Sequence, residues 1–205
     1  LALVLLACLT AYAQQEFEEG NSSVAHSQIK PLSAKLLLFA SVVLSIQIFL
    51  GAWVSTNYAV LACPDFPTCL GTFMPETDWQ EGFTLWRQLG LNAQGESISP
   101  VALQTIHWAH RLFAVVAIAV LSLLGVSALK LSNPALPKMG KIAKLLLGLL
   151  IVQALTGISN VVFQWPLLAA LMHTAGSAAL VFCLVRLTQW SSWSASIHIK
   201  MVRSL

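Results

Sequence analysis

Charge is what this sequence lacks. Only 9% of its residues are Asp, Glu, Lys or Arg, while 57% are hydrophobic; a soluble globular domain carries about 25% charged residues. That shortage excludes a soluble fold and leaves a membrane protein. The net charge of +3 is also too small to point to nucleic acid. An initiator methionine is missing, since the chain opens on Leu1. Leu1 to Ala13 is apolar yet too short to span a membrane. Ala11-Tyr12-Ala13 before Gln14 has the form of a signal-peptidase site, but no basic segment precedes it. The competing reading is the end of a transmembrane helix that starts upstream, which makes the chain a fragment of a longer one.

Basic residues are absent from one side of the expected topology. Lys30, Lys35, Lys130, Lys138, Lys141, Lys144, Arg186, Lys200 and Arg203 flank the same ends of the apolar segments, nine of the eleven Lys and Arg residues. By the positive-inside rule these ends are cytoplasmic. The long polar loop from Leu61 to Ser99 holds only Arg87 and so faces outward. Cleavage after Ala13 would invert this arrangement, which favours the helix remnant.

The apolar segments are Leu36 to about Val60, Val101 to Leu129, Ile142 to Phe163 and Leu167 to Trp190. Each meets the length of about 20 residues that a hydrocarbon core of about 30 Å requires. The expected fold is all-α: a four-helix transmembrane bundle with a disulfide-bearing outward loop. Its organisation is a helix remnant over 1–13, a cytoplasmic linker over 14–34, a four-helix domain over 35–190 containing the loop 61–99, and a cytoplasmic tail over 191–205. Ile46-Gln47-Ile48-Phe49-Leu50-Gly51 and Val152-Gln153-Ala154-Leu155-Thr156-Gly157 form a weak internal repeat on two outward-running helices.

Ionisable groups at membrane depth are costly, which marks His107, His110, Arg111 and His173. His107 and His110 share one side of a helix. His110 lies nine residues in from Val101 and His173 six in from Leu167, placing them about 13 Å and about 9 Å deep at 1.5 Å per residue. Two neutral imidazoles at one level can ligate a heme iron from opposite faces. The plainer reading is hydrogen bonding to neighbouring helices. His107 is nearer the surface and a weaker ligand candidate. Arg111 can snorkel outward to a heme propionate or simply anchor the helix at the interface. Trp108 suits packing, the interface or a heme contact equally.

Cys63 and Cys69 lie six positions apart in the outward loop, with Pro64 and Pro67 stiffening the turn. In an oxidising compartment they can form a disulfide: a structural clip, or a redox pair feeding the membrane site. A metal bound by two thiols and Asp65 needs more ligands than the loop offers. Cys8 and Cys183 read as small packing residues. Asp78 to Arg87 reads as a short amphipathic surface segment with interfacial Trp and Phe.

Gly51-Ala52-Trp53-Val54-Ser55-Thr56-Asn57-Tyr58-Ala59-Val60, the Cys63 to Cys69 loop, Ile106-His107-Trp108-Ala109-His110-Arg111, Gly157-Ile158-Ser159-Asn160-Val161 and the His173 helix together resemble the heme A synthase family. The likeness runs from about Lys35 to Trp190 and is similar to that family's C-terminal half. It implies half of an eight-helix, pseudo-symmetric bacterial inner-membrane protein with the Cys63–Cys69 loop on the periplasmic side. The family oxidises the C8 methyl of heme O to the formyl of heme A for cytochrome oxidase. The resemblance implies that His110 and His173 are axial ligands of a heme b. It also implies heme O as substrate in the other half, with heme O synthase, an electron donor, membrane lipid and a second copy as partners. That half carries a catalytic Glu three residues before its first ligand; here the position is His107, so no catalytic residue is expected in this chain. Three alternatives remain: a b-type cytochrome passing electrons to quinone, a DsbB-like thiol oxidoreductase, and a structural bundle that binds no heme. The thiol chemistry calls for a Cys-x-x-Cys that the loop lacks.

Overall fold

A computed structural model describes residues 32–88, 90–92, 94–132 and 137–202. The expected remnant over 1–13, most of the linker over 14–34 including Pro31, and the last three residues lie outside these. Helix α1 runs Ala34–Thr56, a single 3-10 turn Ala59–Leu61, α2 Trp79–Gly82, α3 Pro100–Leu131, α4 Pro137–Val162 and α5 Leu167–Val202. Four of them, α1, α3, α4 and α5, are long and apolar enough to cross a membrane. Among the described residues the only pairing of extended backbone is two isolated bridges, Cys69 with Thr72 and Leu91 with Ser97.

The helix ends are written in local chemistry. Ser33 caps α1 by accepting from the Leu36 N–H at 3.4 Å. The first span stops at Thr56, short of the expected Val60. There the Asn57 amide donates to the Trp53 carbonyl at 2.9 Å, and Tyr58 takes the left-handed conformation with φ 59°. Ser99 caps α3 through the Ala102 N–H at 3.1 Å, with Pro100 as its first residue. Pro137 opens α4 in the same way. At the other end of α4 the Trp165 N–H reaches back to the Asn160 carbonyl at 2.8 Å, a Schellman-type closure. α5 continues beyond the expected span, through Val202.

The chain divides into two compact units. One comprises the beginning of α1 with Ala119–Ile151 and the chain from Ala175 onward; the other comprises Val43–Ile118 and Val152–Thr174. The first is held by apolar packing, with Leu121, Leu124, Leu146 and Leu187 fully buried. Gly125 of α3 lies so close to α4 that a Cβ there would come within 2.8 Å of the Leu147 side chain.

The second unit holds most of the buried polar residues, among them Asn57, Gln104, Thr105, His107, Thr156 and Asn160. Val54, Ala59, Ile98, Ala102 and Ile106 form one core cluster, and Cys63, Cys69 and Trp108 another. The short helix α2 is tied down on three sides. Its N-cap Asp78 accepts from the Glu81 N–H at 2.9 Å, the Asp78 N–H donates to Thr105 at 2.7 Å, and the Trp53 indole donates to the Gly82 carbonyl at 2.9 Å. The segment expected to be a surface amphipath is therefore docked on α1 and α3. Trp86, by contrast, is 93% exposed, as an interfacial aromatic would be. Many helix side chains that face away from the packing are large and apolar, including Leu38, Val115, Ile151 and Leu168. Such a surface suits lipid tails and not water.

Candidate heme-ligand site

His110 on α3 and His173 on α5 fall in the same unit. Each faces a glycine. A Cβ at Gly51 would sit 3.1 Å from His110 Cε1, and one at Gly157 would sit 3.3 Å from His173 Cε1. Glycine is needed at both places because an imidazole lies against the backbone.

Four residues before each glycine stands a glutamine, and each glutamine reaches the histidine of the adjacent helix. Gln153 Nε2 donates to the His173 carbonyl at 2.9 Å, and Gln47 Nε2 donates to the His110 carbonyl at 3.4 Å. The six-residue repeat thus has a physical meaning: Gln and Gly together seat a histidine-bearing helix.

The ring contacts differ between the two. Thr156 Oγ1 lies 3.0 Å from His173 Nδ1. With its proton directed at the Val152 carbonyl at 2.7 Å, that hydroxyl has a lone pair to accept from Nδ1–H in the tautomer that leaves Nε2 with its lone pair. At His110 the Gln47 amide nitrogen sits 3.2 Å from Nδ1 and 3.4 Å from Nε2. A neutral histidine that binds metal through one nitrogen presents N–H at the other, which needs an acceptor.

Two imidazoles in one unit, each set against a glycine, are residues of the kind that would hold a tetrapyrrole iron from its two faces. Among the described residues no three His, Cys, Asp or Glu side chains group as a metal site.

Arg111 does not reach outward freely. Its Nη1 donates to the carbonyls of Asp65 at 2.8 Å and Thr68 at 2.9 Å, and Nη2 donates to that of Cys63 at 2.6 Å. Its Nε donates to His107 Nε2 at 3.3 Å. The guanidinium thus clamps the cysteine loop onto α3. His107 is buried in this clamp, its Nδ1 side towards the Ala59 carbonyl without a well-formed hydrogen bond. His107 is thus held against the loop through Arg111.

Cys63 and Cys69 are joined as a disulfide, fully buried against Trp108. Trp108 is thereby a packing residue for the loop. The Phe66–Pro67 peptide bond within the loop is cis. Asp65 organises the turn: it accepts from the Thr68 hydroxyl and from the N–H groups of Leu70 at 2.6 Å and Gly71 at 3.0 Å. These bonds, led by that from Thr68, hold its carboxyl down to about 2 from 3.8. Further along, Arg87 donates to Asn57 Oδ1 at 2.8 Å. Burial lowers its pKa, an effect that Glu81 partly offsets.

Thr156, Asp65 and the Asn57–Arg87 pair are the residues that sequence reasoning left without these roles. Only Thr156 carried a signal, through its place in the repeat beside Gly157.

Residues 1–185 match the COX15-CtaA family model, described as cytochrome oxidase assembly protein. A heme A synthase from Shewanella oneidensis is 36% identical over 152 residues, which is 74% of this chain and 44% of that protein. One from Rickettsia bellii is 32% identical over 146 residues, 69% of this chain and 39% of that protein. The chain therefore spans less than half the length of these curated relatives. With four helices of membrane-spanning character and a family match across most of its length, this chain is a multi-pass membrane protein and belongs to the COX15-CtaA family of cytochrome oxidase assembly proteins.

Proposed function

We propose that this chain is the cofactor-heme half of a heme A synthase, with His110 and His173 as axial ligands of a heme b. The observation that carries the reading is the doubled seat: a Gln–x-x-x–Gly helix face against each histidine, within one unit. In the whole enzyme the reaction is oxidation of the C8 methyl of heme O to the formyl of heme A, in a bacterial inner membrane. A heme bound between His110 and His173 supplies one-electron transfer to that reaction.

The residues of this chain do the holding. Gly51 and Gly157 let the imidazoles approach the helix backbones. Thr156 orients His173 with Nε2 free. Arg111 offers five N–H groups, four of which are spent on the loop and His107; the remaining one is available to a heme propionate. The Cys63–Cys69 loop lies on the periplasmic side in this reading. His107 occupies the position of the catalytic acid of the other half, and its imidazole is engaged by Arg111. Heme O, heme O synthase, an electron donor and a second copy are partners of the whole protein.

An absorption spectrum of the purified chain tests the site. A bis-histidine b-type spectrum in the wild type, lost in both His110→Ala and His173→Ala, is the expected result. A heme spectrum indifferent to both substitutions would reject it. Heme A formation from heme O by the full-length protein separates this function from that of a b-type electron carrier, which would show the same spectrum.

A further inference from the structure

Building on the heme-ligand reading, we propose that Gln47 and Thr156 are the Nδ1 acceptors that position and electronically tune His110 and His173. The two side chains do the same task from non-equivalent places in the helix repeat. In the alignment of Ile46–Gly51 with Val152–Gly157, Gln47 corresponds to Gln153 and Leu50 to Thr156. Thr156 therefore has an aliphatic counterpart in α1, and His110 has no hydroxyl at the matching position. Gln153 is occupied with the His173 carbonyl at 2.9 Å, leaving the ring to Thr156 at 3.0 Å. Gln47 must serve both backbone and ring.

Its amide geometry shows how. The nitrogen lies 3.2 Å from His110 Nδ1, while Oε1 is buried without a hydrogen-bond partner among the described residues. A buried amide oxygen left unpaired is costly. An imidazole ligated through Nε2 carries N–H at Nδ1 and lacks an acceptor. Half a turn of the Gln47 amide presents Oε1 to that N–H, in exchange for the long bond from Nε2 to the His110 carbonyl. The orientation of such an amide follows its hydrogen-bond partners. Gln47 is thus suited to the ligated form of His110, while Thr156 is already set as acceptor for His173.

An acceptor on Nδ1–H makes the imidazole a more basic ligand and favours the oxidised iron. Loss of either acceptor therefore raises the midpoint potential. The test uses the purified full-length protein with Thr156→Val, Thr156→Ser and Gln47→Met, following heme content, midpoint potential and the low-spin electron paramagnetic resonance signal. Thr156→Val and Gln47→Met should each shift the potential upward, change the signal and weaken heme retention about tenfold or more. Thr156→Ser keeps the hydroxyl and should behave as wild type. An unchanged or lowered potential in both Thr156→Val and Gln47→Met, with heme still bound, overturns this inference alone. Equal shifts in Thr156→Ser and Thr156→Val overturn it as well, because the hydroxyl is then irrelevant. If heme binding survives both His110→Ala and His173→Ala, the ligand reading and this inference fall together.

Discussion

On one side of the site, α1 presents Gln47 and Gly51 to His110; on the other, α4 presents Gln153 and Gly157 to His173. The seats match, but their supports do not. The helix of His110 is clamped from outside by Arg111, which gathers the carbonyls of a disulfide-closed loop. The helix of His173 has no such loop: α4 and α5 are joined by a short turn through Gln164 and Trp165, both at positive φ. Its imidazole is held by the Thr156 hydroxyl instead. One helix-pair template has thus been stabilised twice, once by a large outer loop and once by a single side chain within the helix. Damage to the loop should consequently disturb His110 more than His173.

The strongest way to break this comparison is Arg111→Ala. It leaves the Cys63, Asp65 and Thr68 carbonyls without their charged donor, a loss on the order of 3 kcal/mol. Thermal unfolding in detergent should show a Tm lower by about 6–12 °C for a chain of this size. Arg111→Lys, a compact charge without the fork, should recover only part. Equal stability of Arg111→Ala and wild type would refute the clamp.

Next comes the disulfide. Closing so short a loop is worth about 2 kcal/mol by chain entropy, so Cys63→Ser with Cys69→Ser should lower Tm by less than Arg111→Ala does. The same double variant decides whether the pair has a redox role. Unchanged heme A yield and unchanged heme reduction in the full protein would leave the disulfide as a clip.

Smaller effects sharpen the equivalence of the seats. Gly51→Ala brings a Cβ to 3.1 Å from His110, and Gly157→Ala brings one to 3.3 Å from His173. Overpacking of this kind costs about 1 kcal/mol or more. Heme-to-protein ratio should fall in both variants, and further for Gly51→Ala. The opposite order would show that the His110 seat is the more yielding one.

The smallest effect is acid loosening of the loop. The folded-state pKa of Asp65 is depressed to about 2 from 3.8. Its contribution is therefore complete above the unfolded value and is lost as pH falls from about 4 towards 2. Amide exchange at Leu70 and Gly71, corrected for the intrinsic rate, should speed up across that window and stay level above it. Asp65→Asn should be loose throughout.

Much of this was legible in the chain itself. The four spans follow from apolar length. The Gln–Gly repeat was visible as letters. Its purpose was not, because a glutamine that reaches a carbonyl on a neighbouring helix leaves no periodic mark. Arg111 shows the same limit more sharply: its partners are main-chain oxygens of residues 63, 65 and 68, and any residue could supply them. The early end of α1 depended on Asn57 bonding back to Trp53, a choice between turn and helix that hydropathy does not register. Asp65 stood in the sequence only as a possible metal ligand in a loop with too few others, whereas its oxygens are taken up by the turn.

Because Arg111 grips backbone and not side chains, the clamp separates two kinds of constraint. The cation at 111 reads only where three carbonyls point, while the side chains at 63, 65 and 68 decide that they point there, through the disulfide and the Asp65 turn. A change in the loop therefore reaches the membrane helix only by moving those carbonyls, and the rest of the loop can vary without loosening its hold.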